Sequence, residues 1–198
     1  AVPPSFYKNI SEHLASSGLT IPCGPEEGWT RVIVEKPFGK NLVSAEDLDL
    51  LLSKLFKEEQ IYRIDHYLAK EMLQYILAFR FGNNLFEDIW NNKYIERIDI
   101  RTRESIGAEG RGNFYDGIGA LRDVGQNHLL QMLSLVTMEN PIVLDSAHVR
   151  QKRAELLSSL EKLTASEIKT QTYRAQYKKK KNIEGVAANS ETETYFKV

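Results

Sequence analysis

Ile61-Tyr-Arg-Ile-Asp-His-Tyr-Leu-Ala-Lys-Glu71 decides how this chain is read. Its apolar start, Ile61, Tyr62 and Ile64, predicts a strand, and Asp65, His66, Tyr67, Lys70 and Glu71 crowd the positions that follow. Polar residues at the carboxyl end of a strand are where α/β folds bind their ligands. A helix beginning near Tyr67 adds free N–H groups to the cations of His66 and Lys70, a pocket suited to a phosphate-sized anion. Asp65 is then left to orient a base elsewhere.

Upstream, residues 31–35 (R-V-I-V-E) are short, mostly apolar and β-branched, which predicts a buried strand. The strand ends at Lys36-Pro-Phe-Gly39, where the proline stops the ladder and stiffens the turn. Ser44, with Asp47 three residues on, predicts a variant capping box for a helix whose apolar face is Leu48, Leu51, Leu52, Leu55 and Phe56. Strand, helix, strand is a βαβ unit with parallel strands, so Lys36 and Asp65 should emerge on one edge of the sheet. Before it, Pro3 and Pro4 suit the first turn of a helix that buries Phe6, Ile10 and Leu14, with Tyr7 beside them, and stops at Gly18. Residues 20–29 read as a loop.

Downstream, Leu73, Ile76, Leu77 and Phe81 predict a helix over 70–81, ended by Gly82 and Asn83. Leu85, Phe86, Ile89 and Trp90 suggest a short core-filling segment. Over 94–102, Ile98 and Ile100 alternate with Arg97, Asp99 and Arg101, the pattern of a half-exposed antiparallel strand. Glu104 follows in register with its apolar face, and an inward carboxylate needs a partner or ligand. Residues 107–119 hold five glycines but lack the third glycine and preceding strand of a dinucleotide fingerprint, so they read as a conformationally special loop. Residues 119–138 predict a long helix burying Leu121, Leu129, Leu130, Leu133 and Val136, interrupted by Arg122, Asp123, Gln126, Asn127 and His128. On a regular helix Asp123 and His128 stand about 140° apart and should not pair, though both can face one cavity. After Pro141, residues 146–163 read as a surface helix covering a sheet, and 170–177 and 191–198 as two strands. Lys178, Lys179, Lys180 and Lys181 between them read as a solvated turn.

The 198 residues carry a formal net charge of −1, which argues against a nucleic-acid footprint. A single cysteine, Cys23, forms no internal disulfide, which suits a reducing, cytoplasmic setting. No apolar run reaches membrane-spanning length, and residues 1–20 carry no signal-peptide pattern. The first residue is not methionine and the last lie within an expected strand, so both ends are expected to be cut.

Glu35-Lys-Pro-Phe-Gly39, Arg63-Ile-Asp-His-Tyr-Leu-Ala-Lys-Glu71, Glu109-Gly-Arg-Gly112 and Arg122-Asp-Val-Gly-Gln-Asn-His128-Leu-Leu-Gln-Met together resemble the glucose-6-phosphate dehydrogenase family, with a further likeness at Ser190-Glu-Thr-Glu-Thr194. The resemblance implies an α/β plus α+β fold. Residues 1–65 would be the C-terminal part of an NADP-binding Rossmann-like domain, and residues 66–198 part of a large, mainly antiparallel sheet domain with helices that serves substrate binding and dimerisation. It implies oxidation of glucose 6-phosphate to a lactone with hydride transfer to NADP, or NAD in some members, the first step of the pentose phosphate pathway. A homodimer or tetramer is implied as well.

By the same resemblance His128 is the general base and Asp65 the carboxylate that pairs with it. His66, Tyr67 and Lys70 hold the sugar phosphate, and Glu104 and Asp123 the sugar hydroxyls. Lys36 lies near both substrate and nicotinamide, Pro37 shapes its turn, and Tyr7 is on the cofactor side. The chemistry is consistent: hydride leaves a hydroxyl-bearing carbon only if the hydroxyl proton is removed, and a neutral imidazole with an ordinary pKa near 6.5 suits that task. Ala69 departs from the family's usual glycine. The glycine-rich cofactor loop is expected before Ala1, and a lysine and arginine of the substrate pocket beyond Val198, so the chain by itself is expected to show little NADP-linked turnover in a coupled absorbance assay. Two other readings are a non-catalytic sugar-phosphate-binding or assembly fragment, and a metal-dependent hydrolase using Asp65, His66, Glu104 and His128. No metal-ligand spacing supports the second, and no metal is expected.

Overall fold

Two short parallel strands and the helix between them organise the first of two units in the computed structural model, which describes residues 2, 6–20, 30–39, 41–82 and 84–198. The units are Ala1–Asp65 and His66–Val198. In the first, α1 (Tyr7–Ser16), β1 (Val32–Glu35), α2 (Leu42–Leu55) and β2 (Ile61–Ile64) follow one another. The strands pair in parallel from Val32↔Ile61 to Glu35↔Ile64, so Lys36 and Asp65 leave the sheet at the same end. That is the convergence expected of a βαβ unit.

The α2 helix starts earlier than Ser44 and Asp47 suggested. Asn41 is the cap: its side chain accepts the Ser44 N–H at 3.0 Å, and the Ser44 hydroxyl accepts the Asn41 N–H at 3.1 Å. Two orphan donors are satisfied reciprocally, with Ser44 in the role usually taken by Glu or Gln. Val34, Leu52, Phe56 and Ile61 form the buried core of this unit, with Tyr7, Leu14, Leu48 and Leu55 against it. Successive strand residues face opposite ways, so Val34 is buried while Ile33 is 67% exposed. β1 is therefore covered on one face and not buried on both. On α1 the inward face is Tyr7, Ser11 and Leu14, and Phe6 and Ile10 are exposed. Gln60, just before β2, is buried and ties loops together: it accepts the Lys57 N–H and donates to the Thr30 carbonyl at 3.2 Å. Pro3, Pro4 and most of the loop expected over 20–29 lie outside the described residues.

The second unit begins with a 3-10 turn, His66–Ala69, that leads into α3 (Glu71–Phe81). Then come α4 (Asn84–Glu87), α5 (Gly112–Tyr115), a π-helical segment (Leu121–Leu129) running straight into α6 (Leu130–Thr137), α7 (Ser146–Ser159), α8 (Ala165–Gln171), β3 (Tyr173–Ala175) and β4 (Tyr195–Lys197). The described residues of this unit are mainly helical, and β3 and β4 pair as a two-stranded antiparallel sheet. The strand expected over 94–102 is absent among them: the stretch has no ladder partner, and alternation alone does not make a strand. The segment around α4 fills the core only in part: Leu85 is 77% and Ile89 46% exposed, while Phe86 and Trp90 are half-buried. Helix α7 packs on α6 rather than on a sheet.

One core of this unit is Tyr67, Leu73, Leu135 and Met138, with Ile76, Leu77, Phe81, Met132 and Val149 packed on it, and a second is Ala108, Tyr115 and Ile183. Among the described residues no helix is long and apolar enough to cross a membrane.

The helix over 121–137 buries a face other than the one its leucines predict. Asp123, Gly125, His128, Ser134 and Leu135 are buried, and Leu121 is 37% exposed. The cause is the π segment. Its hydrogen bonds run from i to i+5, so residues five apart stack on one side. The phase computed for a regular helix does not apply, and Asp123 and His128 share a buried face. Gly125, buried on another side of the segment, lets Phe196 approach closely: a Cβ there would stand 2.4 Å from the ring.

Candidate active site

In the second unit, residues 66–70 and 128 meet. The His128 side chain, 1% exposed, stacks on the Tyr67 ring with centroids 4.1 Å apart and planes at 11°. The exposed His66 ring stands edge-on to both, 4.7 Å from His128 and 5.1 Å from Tyr67. Lys70 places its Nζ 3.5 Å from the Tyr67 ring centroid, a close cation–π contact. The Tyr67 hydroxyl donates to Glu104 at 2.6 Å. Glu104 is exposed rather than inward, and Tyr67 is the partner its carboxylate required.

Local sequence explains this placement. The 3-10 turn projects Tyr67 into the core while leaving His66 and Lys70 at the surface, so an exposed imidazole and an exposed ammonium flank one buried phenol. The geometry offers an anion the Lys70 ammonium and the edge of the His66 ring, beside a buried imidazole. Asp123, 6% exposed on the same helix as His128, pairs with Arg111 at 3.3 Å. In the sequence Arg111 belongs to the glycine-rich loop and to the Glu109-Gly-Arg-Gly112 motif, neither of which names Asp123 as its partner. That loop carries left-handed backbone at Gly110, Gly117 and Gly119, with φ of 76°, 83° and 80°.

In the first unit, Lys36, Asp65 and Tyr7 stand at the carboxyl end of the parallel pair. The Tyr7 hydroxyl donates to the Glu35 carbonyl at 3.0 Å, and burial, followed by the Glu35 charge, raises its pKa. The Lys36–Pro37 peptide is cis.

A second polar cluster, not read from the sequence, lies behind the glycine loop. Lys180 is fully buried and its Nζ meets Asp116 at 3.3 Å and the Ser190 hydroxyl at 2.6 Å, while Ser190 also donates to Asp116. The solvated lysine turn is thus corrected at one position: Lys178–Asn182 is a 3-10 turn that sends Lys180 inward.

Comparison with known proteins accounts for both units. Residues 1–75 match the family described as "Glucose-6-phosphate dehydrogenase, NAD binding domain", and residues 77–198 the one described as "Glucose-6-phosphate dehydrogenase, C-terminal domain". The glucose-6-phosphate 1-dehydrogenase of Borreliella burgdorferi is 43% identical over 98% of this chain and 42% of its own length. That of Dictyostelium discoideum is 42% identical over 98% of this chain and 39% of its own length. The crystal structure of the Mycobacterium avium enzyme superposes with a TM-score of 0.86 at 40% identity, covering 98% of this chain and 41% of that one. A structure titled as glucose-6-phosphate dehydrogenase in complex with its substrate gives 0.81 at 36% identity, covering 99% of this chain and 40% of that one. The chain spans about two fifths of the length of these relatives. With both units matched end to end and the ring cluster built from the residues that first suggested the likeness, the chain belongs to the glucose-6-phosphate dehydrogenase family.

Proposed function

We propose that this chain supplies the substrate-holding and proton-abstracting part of a dehydrogenase that oxidises glucose 6-phosphate to its lactone. The observation that carries the reading is the cluster of His66, Tyr67 and Lys70 against His128, which brings the phosphate-holding residues and the base of the family pattern together within one unit. Lys70, His66 and the Tyr67 hydroxyl grip the phosphate, Glu104 and Asp123 take sugar hydroxyls, and His128 removes the proton of the anomeric hydroxyl as hydride departs. Asp65 is the carboxylate that fixes the His128 tautomer and stabilises the imidazolium. It directly precedes His66 in the chain, whose ring is 4.7 Å from that of His128. Holding the phosphate far from the reacting carbon supplies orientation.

The nucleotide side of the reaction falls to the first unit. Lys36 and Tyr7 stand at the carboxyl end of a parallel βαβ pair, the edge on which such sheets receive nucleotides, so the residues present fit NADP. When bound, NADP is the hydride acceptor. The first unit is accordingly the end of a Rossmann-like domain, and the second the start of a larger, mainly antiparallel domain that assembles a homodimer or tetramer in the cytoplasm.

Titration calorimetry with glucose 6-phosphate, glucose and inorganic phosphate tests the reading. Heat with the sugar phosphate and none with glucose is expected, and no binding of the sugar phosphate refutes it. Binding without any turnover in the presence of NADP selects the non-catalytic sugar-phosphate-binding alternative. Lys70→Ala removes a charge-assisted contact to the phosphate, so affinity for glucose 6-phosphate falls roughly 10- to 100-fold while affinity for NADP is unchanged. Equal losses for both ligands would show that Lys70 only supports the fold.

A further inference from the structure

The Ser190-Glu-Thr-Glu-Thr194 stretch has no part in the chemistry above, yet it is tied closely to the helix that carries the base. Glu193 is 8% exposed, and its Oε1 accepts the Leu121 N–H at 3.0 Å, at the first residue of the π segment. Its own carbonyl accepts the Ala120 N–H at 3.1 Å and the Tyr115 hydroxyl at 3.0 Å. Thr192, one residue before, accepts the Gly117 N–H at 2.8 Å. The backbone just before the helix is thus fastened to this stretch by side chain and main chain together.

The other end of the same helix is also held by remote side chains. Arg80, 3% exposed near the end of α3, donates from Nη1 to the Leu135 carbonyl at 3.1 Å, and the Trp90 indole donates to the Val136 carbonyl at 2.7 Å. These are carbonyls of the last helical turn, which have no partner within the helix. A carboxylate at the amino end and a guanidinium at the carboxyl end both complement the helix dipole. Arg80 also sits on α3, whose lead-in turn carries Tyr67 and Lys70. Its contact with Leu135 therefore sets the base helix against the element that holds the stacked ring.

We infer that Glu193, with Arg80 and Trp90 at the opposite end, are positioning residues for His128. They clamp the 121–137 helix along its axis so that the imidazole keeps its face on Tyr67. This rests on the reading of His128 as the base. A clamp is needed because the π segment forgoes regular hydrogen-bond spacing, and a displacement of about 1 Å at a reacting group can cost on the order of 100-fold in rate.

The test compares Glu193→Ala, Glu193→Gln and Trp90→Phe in a protein carrying this sequence. Glu193→Ala lowers kcat roughly 10- to 100-fold with KM for glucose 6-phosphate within about threefold, and Glu193→Gln, which keeps the acceptor oxygen, restores most of the loss. Trp90→Phe keeps an aromatic side chain, though a smaller one, loses one hydrogen bond and gives a smaller fall of the same kind, so the claim stays testable if Glu193→Ala does not fold. The histidine ring protons in NMR spectra supply a readout independent of turnover: stacking on Tyr67 shifts those of His128, and Glu193→Ala moves them while those of exposed His148 stay put. Unchanged kcat and unchanged His128 resonances in the two alanine and phenylalanine variants overturn the clamp, as does a loss of rate that only tracks loss of folded protein. If His128→Asn itself turns over normally, it is the assignment of the base that fails.

Discussion

His128→Asn lowers kcat for glucose 6-phosphate oxidation by roughly 100- to 10,000-fold, the range a positioned general base contributes. The hydroxyl proton must leave as the hydride does, and asparagine cannot accept it. Substrate affinity should change little if, as proposed, His66, Tyr67 and Lys70 rather than His128 hold the phosphate. Loss of the stack on Tyr67, 4.1 Å between centroids, costs about 0.5–1.5 kcal/mol of stability, too little to unfold an ordinary domain. Steady-state kinetics beside a thermal melt separate the two effects. A variant that loses substrate binding as much as turnover would assign His128 to the phosphate site instead.

The largest expected effect on stability lies away from the ring cluster. Asp116→Ala leaves the fully buried Lys180 ammonium without its carboxylate and destabilises the protein by about 3–5 kcal/mol, read from chemical denaturation. Replacing both partners together, Asp116→Leu with Lys180→Met, should recover most of that loss, since an apolar pair carries no desolvation cost.

The same cluster has a pH signature. The Ser190 hydroxyl, then the Ala187 N–H and other donors including Lys180, hold the Asp116 carboxyl down to about 2, from 3.8. A depressed folded pKa contributes stability that is complete above the unfolded value and is lost as pH falls toward the folded one. Denaturation midpoints should therefore drop between about pH 4 and pH 2 in the wild type, and less steeply in the double variant. Parallel pH curves for the two would remove Asp116 from the account.

Some of this was legible in the sequence and some was not, for identifiable reasons. The two parallel strands could be read because β-branched runs bounded by polar residues have few other uses, and their order in the chain dictated that Lys36 and Asp65 share an edge. The cluster at 66–70 could be read because its residue types are chemically specific. The 94–102 segment could not, since alternation describes one chain and a strand needs two. The buried face of the 121–137 helix is not legible because a period of 3.6 does not hold where the backbone runs as a π-helix, and residue letters do not announce that change. Nothing local distinguishes Lys180 from its three lysine neighbours. Its burial is decided by Asp116, 64 residues earlier. Glu193 escaped notice for the same reason: its partner, the Leu121 N–H, is 72 residues away and carries no side-chain signature.

The proposed cooperation of Asp65 with His128 is tested most directly by a kinetic cycle of Asp65→Asn, His128→Asn and the pair together. If the carboxylate acts only through the imidazole, its removal costs nothing once the imidazole is gone, and the double variant turns over as slowly as His128→Asn alone, within about threefold. Losses that multiply instead, each substitution slowing the other's variant by its full factor, would contradict it.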